Sequence, residues 1–166
     1  MAVVNKKINI KTLDDYNFII MCDRIQDPGN LGTIVRTADA FGPALIILNK
    51  GCVDVYNPKV VRASAGAILR TPFIFNDIDT EIIGLLKNSG FRIISTIVNS
   101  LYSFEDIQDS KKICVVIGNE GSGISQEIIE NSDISITIRM SGRAESLNAS
   151  IAAGICIYEI SKKLHM

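Results

Sequence analysis

Short apolar runs that alternate with segments of helical spacing restrict the fold of this chain more than any other feature. Residues 17–22, 44–48, 73–75, 92–96, 114–117 and 134–138 read as strands. Between them lie helical patterns. Asn30 stands as the cap of the first, with Ile34, Val35, Ala38 and Phe41 as its apolar positions and Gly42-Pro43 as its stop. Asn57-Pro58 opens the second, with Val60, Val61, Ala65, Ile68 and Leu69 on its apolar side. Residues 80–88 and 125–131 form two more, and the chain closes with a helix over about 147–163, capped by Ser146 and striped by Leu147, Ile151, Ile155 and Tyr158. Strands that alternate with helices form parallel βαβ units, so the expected fold is α/β: a mostly parallel sheet flanked by helices on both faces. Ligands of such sheets sit past the carboxyl ends of the strands, where residues 23–30, 118–124 and 139–148 form unusual loops.

Composition narrows the function. At 166 residues the chain fits one domain, and 47% apolar with 21% charged residues is ordinary for a packed globule and wrong for a disordered chain. No apolar run reaches a membrane span, and Met-Ala-Val-Val-Asn-Lys-Lys has no signal core. Cys22, Cys52, Cys114 and Cys156 form no Cys-x-x-Cys pair and read as reduced thiols of a cytoplasmic protein. His165 is the only histidine, so neither a zinc centre nor a Ser-His-Asp mechanism is expected, and no metal is assigned. The net charge of −1 counts against nucleic acid, although residues 1–75 carry 9 basic and 6 acidic side chains and the remainder 8 and 12.

The loops hold the candidate chemistry. Asp27-Pro28-Gly29-Asn30 runs into a helix that carries Arg36. Gly118-Asn119-Glu120-Gly121-Ser122-Gly123 places three glycines and a carboxylate after a strand, but lacks the Gly-Lys-Ser/Thr of a phosphate loop and the spacing of a dinucleotide fingerprint. Ser146-Leu147-Asn148-Ala149-Ser150 begins a helix with hydroxyl and amide groups beside free backbone N–H donors.

In order and spacing, these segments resemble the three motifs of the SpoU (TrmH) family of RNA 2′-O-ribose methyltransferases, of the SPOUT class. The first runs Asp27-Pro-Gly-Asn30-Leu-Gly-Thr-Ile-Val-Arg36-Thr-Ala. The resemblance continues through Gly51 to Gly66, then Ile117-Gly-Asn-Glu120-Gly, and ends in Ser146-Leu-Asn148-Ala-Ser-Ile-Ala-Ala. It implies an α/β knot, with the C-terminal stretch threaded through a loop as a trefoil, a rare exception to ordinary connection rules. It implies S-adenosylmethionine as cofactor, bound by Thr96, Gly118, Asn119, Gly121, Ile138, Met140, Ser146 and Leu147. It implies a homodimer in which Asn30 and Arg36 of one subunit face the methyl donor of the other, with Glu120, Ser146 and Asn148 completing the catalytic set. RNA is the implied partner, ribosomal RNA first because of the stretch around Tyr56-Asn-Pro-Lys59. Ile138-Arg139-Met140 departs from the family's frequent Ile-Pro-Met and restores an N–H donor. Residues 1–16 resemble a remnant of an interdomain linker or N-terminal extension in longer members, leaving 17–166 as the catalytic domain.

Methyl transfer to a ribose hydroxyl is mostly a positioning task. A guanidinium stays protonated, so Arg36 suits a fork on a phosphate and a developing oxyanion better than a general base, with the proton passing to phosphate or water. Glu120 either anchors loop amides or orients Asn30 or Arg36. Lys59, Arg62 and Arg70 form either a solvated face or an RNA contact. Two rivals stand beside the enzyme: a non-catalytic binding module of the same fold, and a flavodoxin-type nucleotide-binding domain. Transfer RNA is the alternative substrate.

Overall fold

The computed structural model describes residues 13–42 and 44–164. Along them run β1 (Phe18–Cys22), α1 (Pro28–Phe41), β2 (Leu45–Asn49), α2 (Pro58–Ala63), β3 (Phe73–Asn76), α3 (Asp79–Asn88), β4 (Arg92–Thr96), β5 (Ile113–Ile117), α4 (Gln126–Asn131), β6 (Ile134–Ile136) and α5 (Ala149–Lys163). All pairings are parallel, in the order β3-β2-β1-β5-β4-β6. The expected parallel sheet is present. Its order differs from the 2-1-3-4-5 of flavodoxin-type sheets, which removes that rival on topology.

Every residue of β1, β2 and β5 is buried, which explains their unbroken apolar sequences: both faces are covered. Alternation sorts the side chains. Phe18, Ile20, Ile46 and Val115 pack with α1, α2 and α5, and Ile19, Met21, Ile47 and Cys114 pack with α3 and α4. Helices α1 and α2 meet so closely that a Cβ on Gly32 would lie 2.4 Å from Ala63 Cβ.

Several boundaries differ from expectation for identifiable reasons. The cap of α1 lies three residues before the expected one: Pro28 takes the first turn, and the Asp27 carboxylate accepts the Asn30 N–H at 2.7 Å. Asn30 is thereby inside the first turn, with its side chain free for other work. The second helical pattern breaks after Ala63, where Ala65 and Gly66 take φ of 49° and 86°. Val61 and Leu69 consequently face outward, while Val60 and Ile68 are buried. Strand β6 ends at Ile136, leaving Ile138 in the following loop. Helix α5 starts at Ala149 and is capped by Asn148, not Ser146. Its buried stripe is Ala153, Cys156, Ile157 and Ile160, while Ile151 and Tyr158 face out. Apolar residues occupy several sides of this helix, so spacing alone allows more than one stripe. Phe41, expected in the α1 stripe, is also exposed and meets the Tyr158 ring edge-on at 5.6 Å.

The four cysteines are free. Burial pushes the Cys22 and Cys114 thiols up and raises Cys52 to about 11, so none of these three offers a thiolate. No helix among the described residues is long and apolar enough to cross a membrane, and no group of three or more metal-ligand side chains gathers among them. Residues 1–12, which hold most of the expected linker segment, and His165 lie outside the described residues.

Candidate active site

Successive strands run outward from β1 to β3, and the chain then crosses to the other side of the sheet for β4 to β6. The order reverses between β1 and β5, whose carboxyl ends lie side by side. A crevice at such a switch point needs no special sequence. Here it is furnished by the loop after β1, the glycine turn after β5 and the segment before α5.

A cleft of about 380 Å³ opens at this end of the sheet, within the range of small-molecule sites. All eight expected cofactor positions line it. Thr96, Gly118, Asn119 and Gly121 come from the ends of β4 and β5, and Ile138, Met140, Ser146 and Leu147 from the segment leading to α5. Ile97, Ile117, Ala149 and Ala152 add apolar wall. Thr96 Oγ1 donates to the Val116 carbonyl at 2.8 Å, so this hydroxyl braces the wall as well as lining it. With Arg139 between them, Ile138 and Met140 both line the cleft, while Arg139 itself is exposed.

The turn itself is held by Asn119. Its backbone pairs with Gly123 in both directions at 3.0 Å, and its Oδ1 accepts the Gly121 and Ser122 N–H groups at 2.9 Å. A Cβ on Gly118 would meet the Gly123 carbonyl carbon and the Ile124 nitrogen at 2.5 Å, so the doubled-back turn requires glycine there.

Of the five expected catalytic residues, three are joined directly. Asn148 Nδ2 donates to Asn30 Oδ1 at 2.9 Å, and Asn30 Nδ2 donates to Glu120 Oε1 at 2.9 Å. The Glu120 carboxylate also accepts the backbone N–H groups of Gln26 and Asp27 at 3.4 and 3.3 Å. Glu120 thus does both things open in the sequence: it anchors loop amides and orients Asn30. Burial works to raise its carboxyl, but the bonds from Asn30, its own N–H, Gln26 and Asp27 prevail and hold it below the usual carboxylate range. Asn148 Oδ1 meanwhile caps α5 through the Ser150 and Ile151 N–H groups. The relay therefore ties the start of α1, the glycine turn and the start of α5 together.

Ser146 lines the cleft and is exposed. Arg36 is apart. It lies on the outer stripe of α1 with Thr33 and Ala40, is exposed, does not line the cleft of its own chain, and has no hydrogen-bond or ion-pair partner among the described residues. Of the three basic residues near α2, Arg70 is engaged by Asp39 at 2.5 Å, whereas Lys59 and Arg62 project outward.

Five contributors carry little or no signal in the sequence. Gln26 and Asp27 act through backbone N–H groups, which no side-chain pattern reveals. Glu145 lines the cleft and was readable only as a neighbour of Ser146. Asp23 and Arg24 bond to the glycine turn and the residues after it without lining the cleft; their signal was a charged pair directly after a buried strand.

Residues 17–158 match the SpoU rRNA Methylase family. The 23S rRNA (guanosine(2553)-2′-O)-methyltransferase RlmP of Bacillus subtilis is 32% identical over 142 residues, 86% of this chain and 57% of that protein. The AdoMet-bound rRNA methyltransferase from Sinorhizobium meliloti superposes with a TM-score of 0.84 at 32% identity, covering 93% of this chain and 61% of that one. The A. aeolicus TrmH/SpoU tRNA modifying enzyme gives a TM-score of 0.79 at 30% identity, covering 90% of this chain and 76% of that one. The chain spans about three-fifths of the length of the first two.

Proposed function

This chain belongs to the SpoU rRNA methylase family, and from that premise we propose that it transfers a methyl group from S-adenosylmethionine to a ribose 2′-hydroxyl of RNA. One observation carries the reading most: the cleft lined by all eight expected cofactor positions is bordered by the Glu120–Asn30–Asn148 relay. The lining fits the group. Apolar side chains suit an adenine face, and a glycine-bearing turn lets backbone approach the ligand closely. When bound there, S-adenosylmethionine supplies an electrophilic methyl group. Thr96 and the 118–123 turn bind, Ile138 and Leu147 exclude water, and Ser146 orients the incoming sugar.

Arg36 acts from a partner subunit in this scheme. Phe41, Ile151 and Tyr158 are exposed apolar residues on the packed pair α1 and α5, a face suited to a second copy of the chain. Arg36 projects from the same pair of helices. In the partner's cleft its fork grips an RNA phosphate and steadies the oxyanion that forms as the hydroxyl loses its proton to phosphate or water. Lys59 and Arg62 extend the phosphate contact. A knot accounts for the path of residues 137–148: Thr137 N–H donates to the Tyr102 carbonyl and Thr137 Oγ1 to that of Val98, so the exit of β6 lies against the β4–β5 connection before the chain reaches α5.

Ribosomal RNA is the favoured substrate, because the RlmP relative acts on 23S rRNA; the tRNA-modifying neighbour supports transfer RNA as the second reading. Incubation with tritiated S-adenosylmethionine and separate rRNA and tRNA transcripts, followed by nuclease digestion, tests both. Label in a 2′-O-methyl nucleoside from rRNA is expected. Label on a base, or none from either RNA, contradicts the proposal and favours a binding module.

A further inference from the structure

The glycine turn is also gripped by two residues that do not line the cleft and that the methyl-transfer scheme does not use. Asp23 follows β1 and is 1% exposed. Its carboxylate accepts Arg24 Nε at 3.0 Å and Nη2 at 3.1 Å, and also the Ser125 N–H at 2.7 Å. Arg24 Nη2 donates onward to the Gly123 carbonyl at 3.2 Å. The Arg24 carbonyl accepts Asn119 Nδ2 at 2.8 Å. The pair therefore holds Asn119 at one end of the turn, and Gly123 with Ser125 at the other.

The arrangement is costly in two ways. A buried carboxylate is unfavourable unless fully paired, and here all its visible partners lead to the turn. Arg24 also sits at φ 55°, the left-handed region that non-glycine residues avoid. The loop after β2 makes way for it: a Cβ on Gly51 would lie 3.0 Å from Arg24 Cγ. Strain of this kind persists only where surroundings enforce it.

We propose that Asp23 and Arg24 are positioning residues that hold the 118–123 turn in its cofactor-accepting shape, and so set cofactor affinity without touching the ligand. This rests on the reading that the cleft takes S-adenosylmethionine. The logic is geometric. Gly118 and Gly121, which offer only backbone, line the cleft beside Asn119, and a site built on backbone is only as good as the fixity of its loop. Asn119 shapes the turn from within, and the Asp23–Arg24 pair fixes that turn to β1.

Three variants of this chain test it: Asp23→Asn, near-isosteric but uncharged; Arg24→Gly, which relieves the left-handed backbone while removing the guanidinium; and Arg24→Lys, which keeps charge but loses the two-pronged geometry. Amide hydrogen exchange reads the turn, and titration calorimetry with S-adenosylmethionine reads affinity. Exchange at Gly121 and Ser122 is expected to accelerate about tenfold in Asp23→Asn and Arg24→Gly, with β1 and β5 amides unchanged, and the cofactor Kd to rise about tenfold. Arg24→Lys should fall between these and the wild type. A merely structural role would instead lower the melting temperature and leave Kd unchanged in the folded fraction, which overturns the inference. If Asp23→Asn does not fold, Arg24→Gly decides alone: unchanged turn exchange and a Kd within about twofold of wild type refute the clamp. Exchange needs no cofactor, so a wild-type chain that fails to bind S-adenosylmethionine sinks the proposed function separately, while the exchange rates still confirm or refute the grip on the turn.

Discussion

Asn30 and Glu120 lie 90 residues apart in sequence and 2.9 Å apart in the fold, amide nitrogen to carboxylate oxygen. The same carboxylate accepts two backbone N–H groups of the loop that leads into α1. A single side chain thus sets the orientation of Asn30 and the path of its loop. Because Asn30 also accepts from Asn148, both ends of its amide are committed, and it links Glu120 to Asn148.

This bonding predicts a pH signature. The Glu120 carboxyl is held below 4.5, so the ionised form is favoured by folding; the stabilisation is complete above the unfolded value and is lost as pH falls through the folded one. Glu120→Gln should melt about 2–4 °C below wild type at neutral pH. The gap should close as pH drops well beneath 4.5, where wild type is neutral too. Thermal melts across pH check this; a gap that does not change with pH would show that charge is not what Glu120 contributes.

Arg36 has no partner to lose among the described residues, so its replacement should spare the fold. Arg36→Lys is expected to melt with wild type yet lose about 10²–10³ in the rate of methyl transfer under single-turnover conditions, as for other donors to a developing oxyanion. A wild-type rate would show that the planar fork is not needed.

How much of this was legible follows from what each residue's signal depends on. The strands were readable because three lie covered on both faces and carry unbroken apolar runs. Helix ends were less so. Asn30 and Ser146 have the chemistry of caps, but Asp27 and Asn148 perform the capping, since Pro28 pulls α1 three residues earlier and α5 begins only at Ala149. The break at Ala65 was hidden, as only Gly66 beside it hints at a left-handed turn. The expected site residues all line the cleft or join its relay except Arg36, which fits the proposed scheme only if a second chain supplies it. Asp23 and Arg24 gave only a weak signal, because a charged pair after a strand is common, and their reach across to Gly123 and Ser125 distinguishes them.

The exposed apolar face predicts its own mutant. Ile151 is 54% exposed and Tyr158 47%. Ile151→Glu with Tyr158→Glu should leave the fold intact, because neither side chain is in the core, and should convert the proposed dimer to a monomer in sedimentation velocity. Methyl transfer should fall with it, whereas S-adenosylmethionine binding should survive in part. A double variant that still sediments as a dimer would place the interface elsewhere.

The proposed sharing of one site between two chains is most directly tested by mixing two inactive variants. Arg36→Ala retains the cleft and the relay; Glu120→Ala retains the arginine. Unfolded and refolded together in equal amounts, they should regain about a quarter of wild-type methyl transfer, since random pairing makes half of the dimers mixed and each mixed dimer holds one intact site. No recovery, in a sample whose mixed dimers are verified by native mass spectrometry, would contradict an active site built from Arg36 of one chain and the Glu120–Asn30–Asn148 relay of the other.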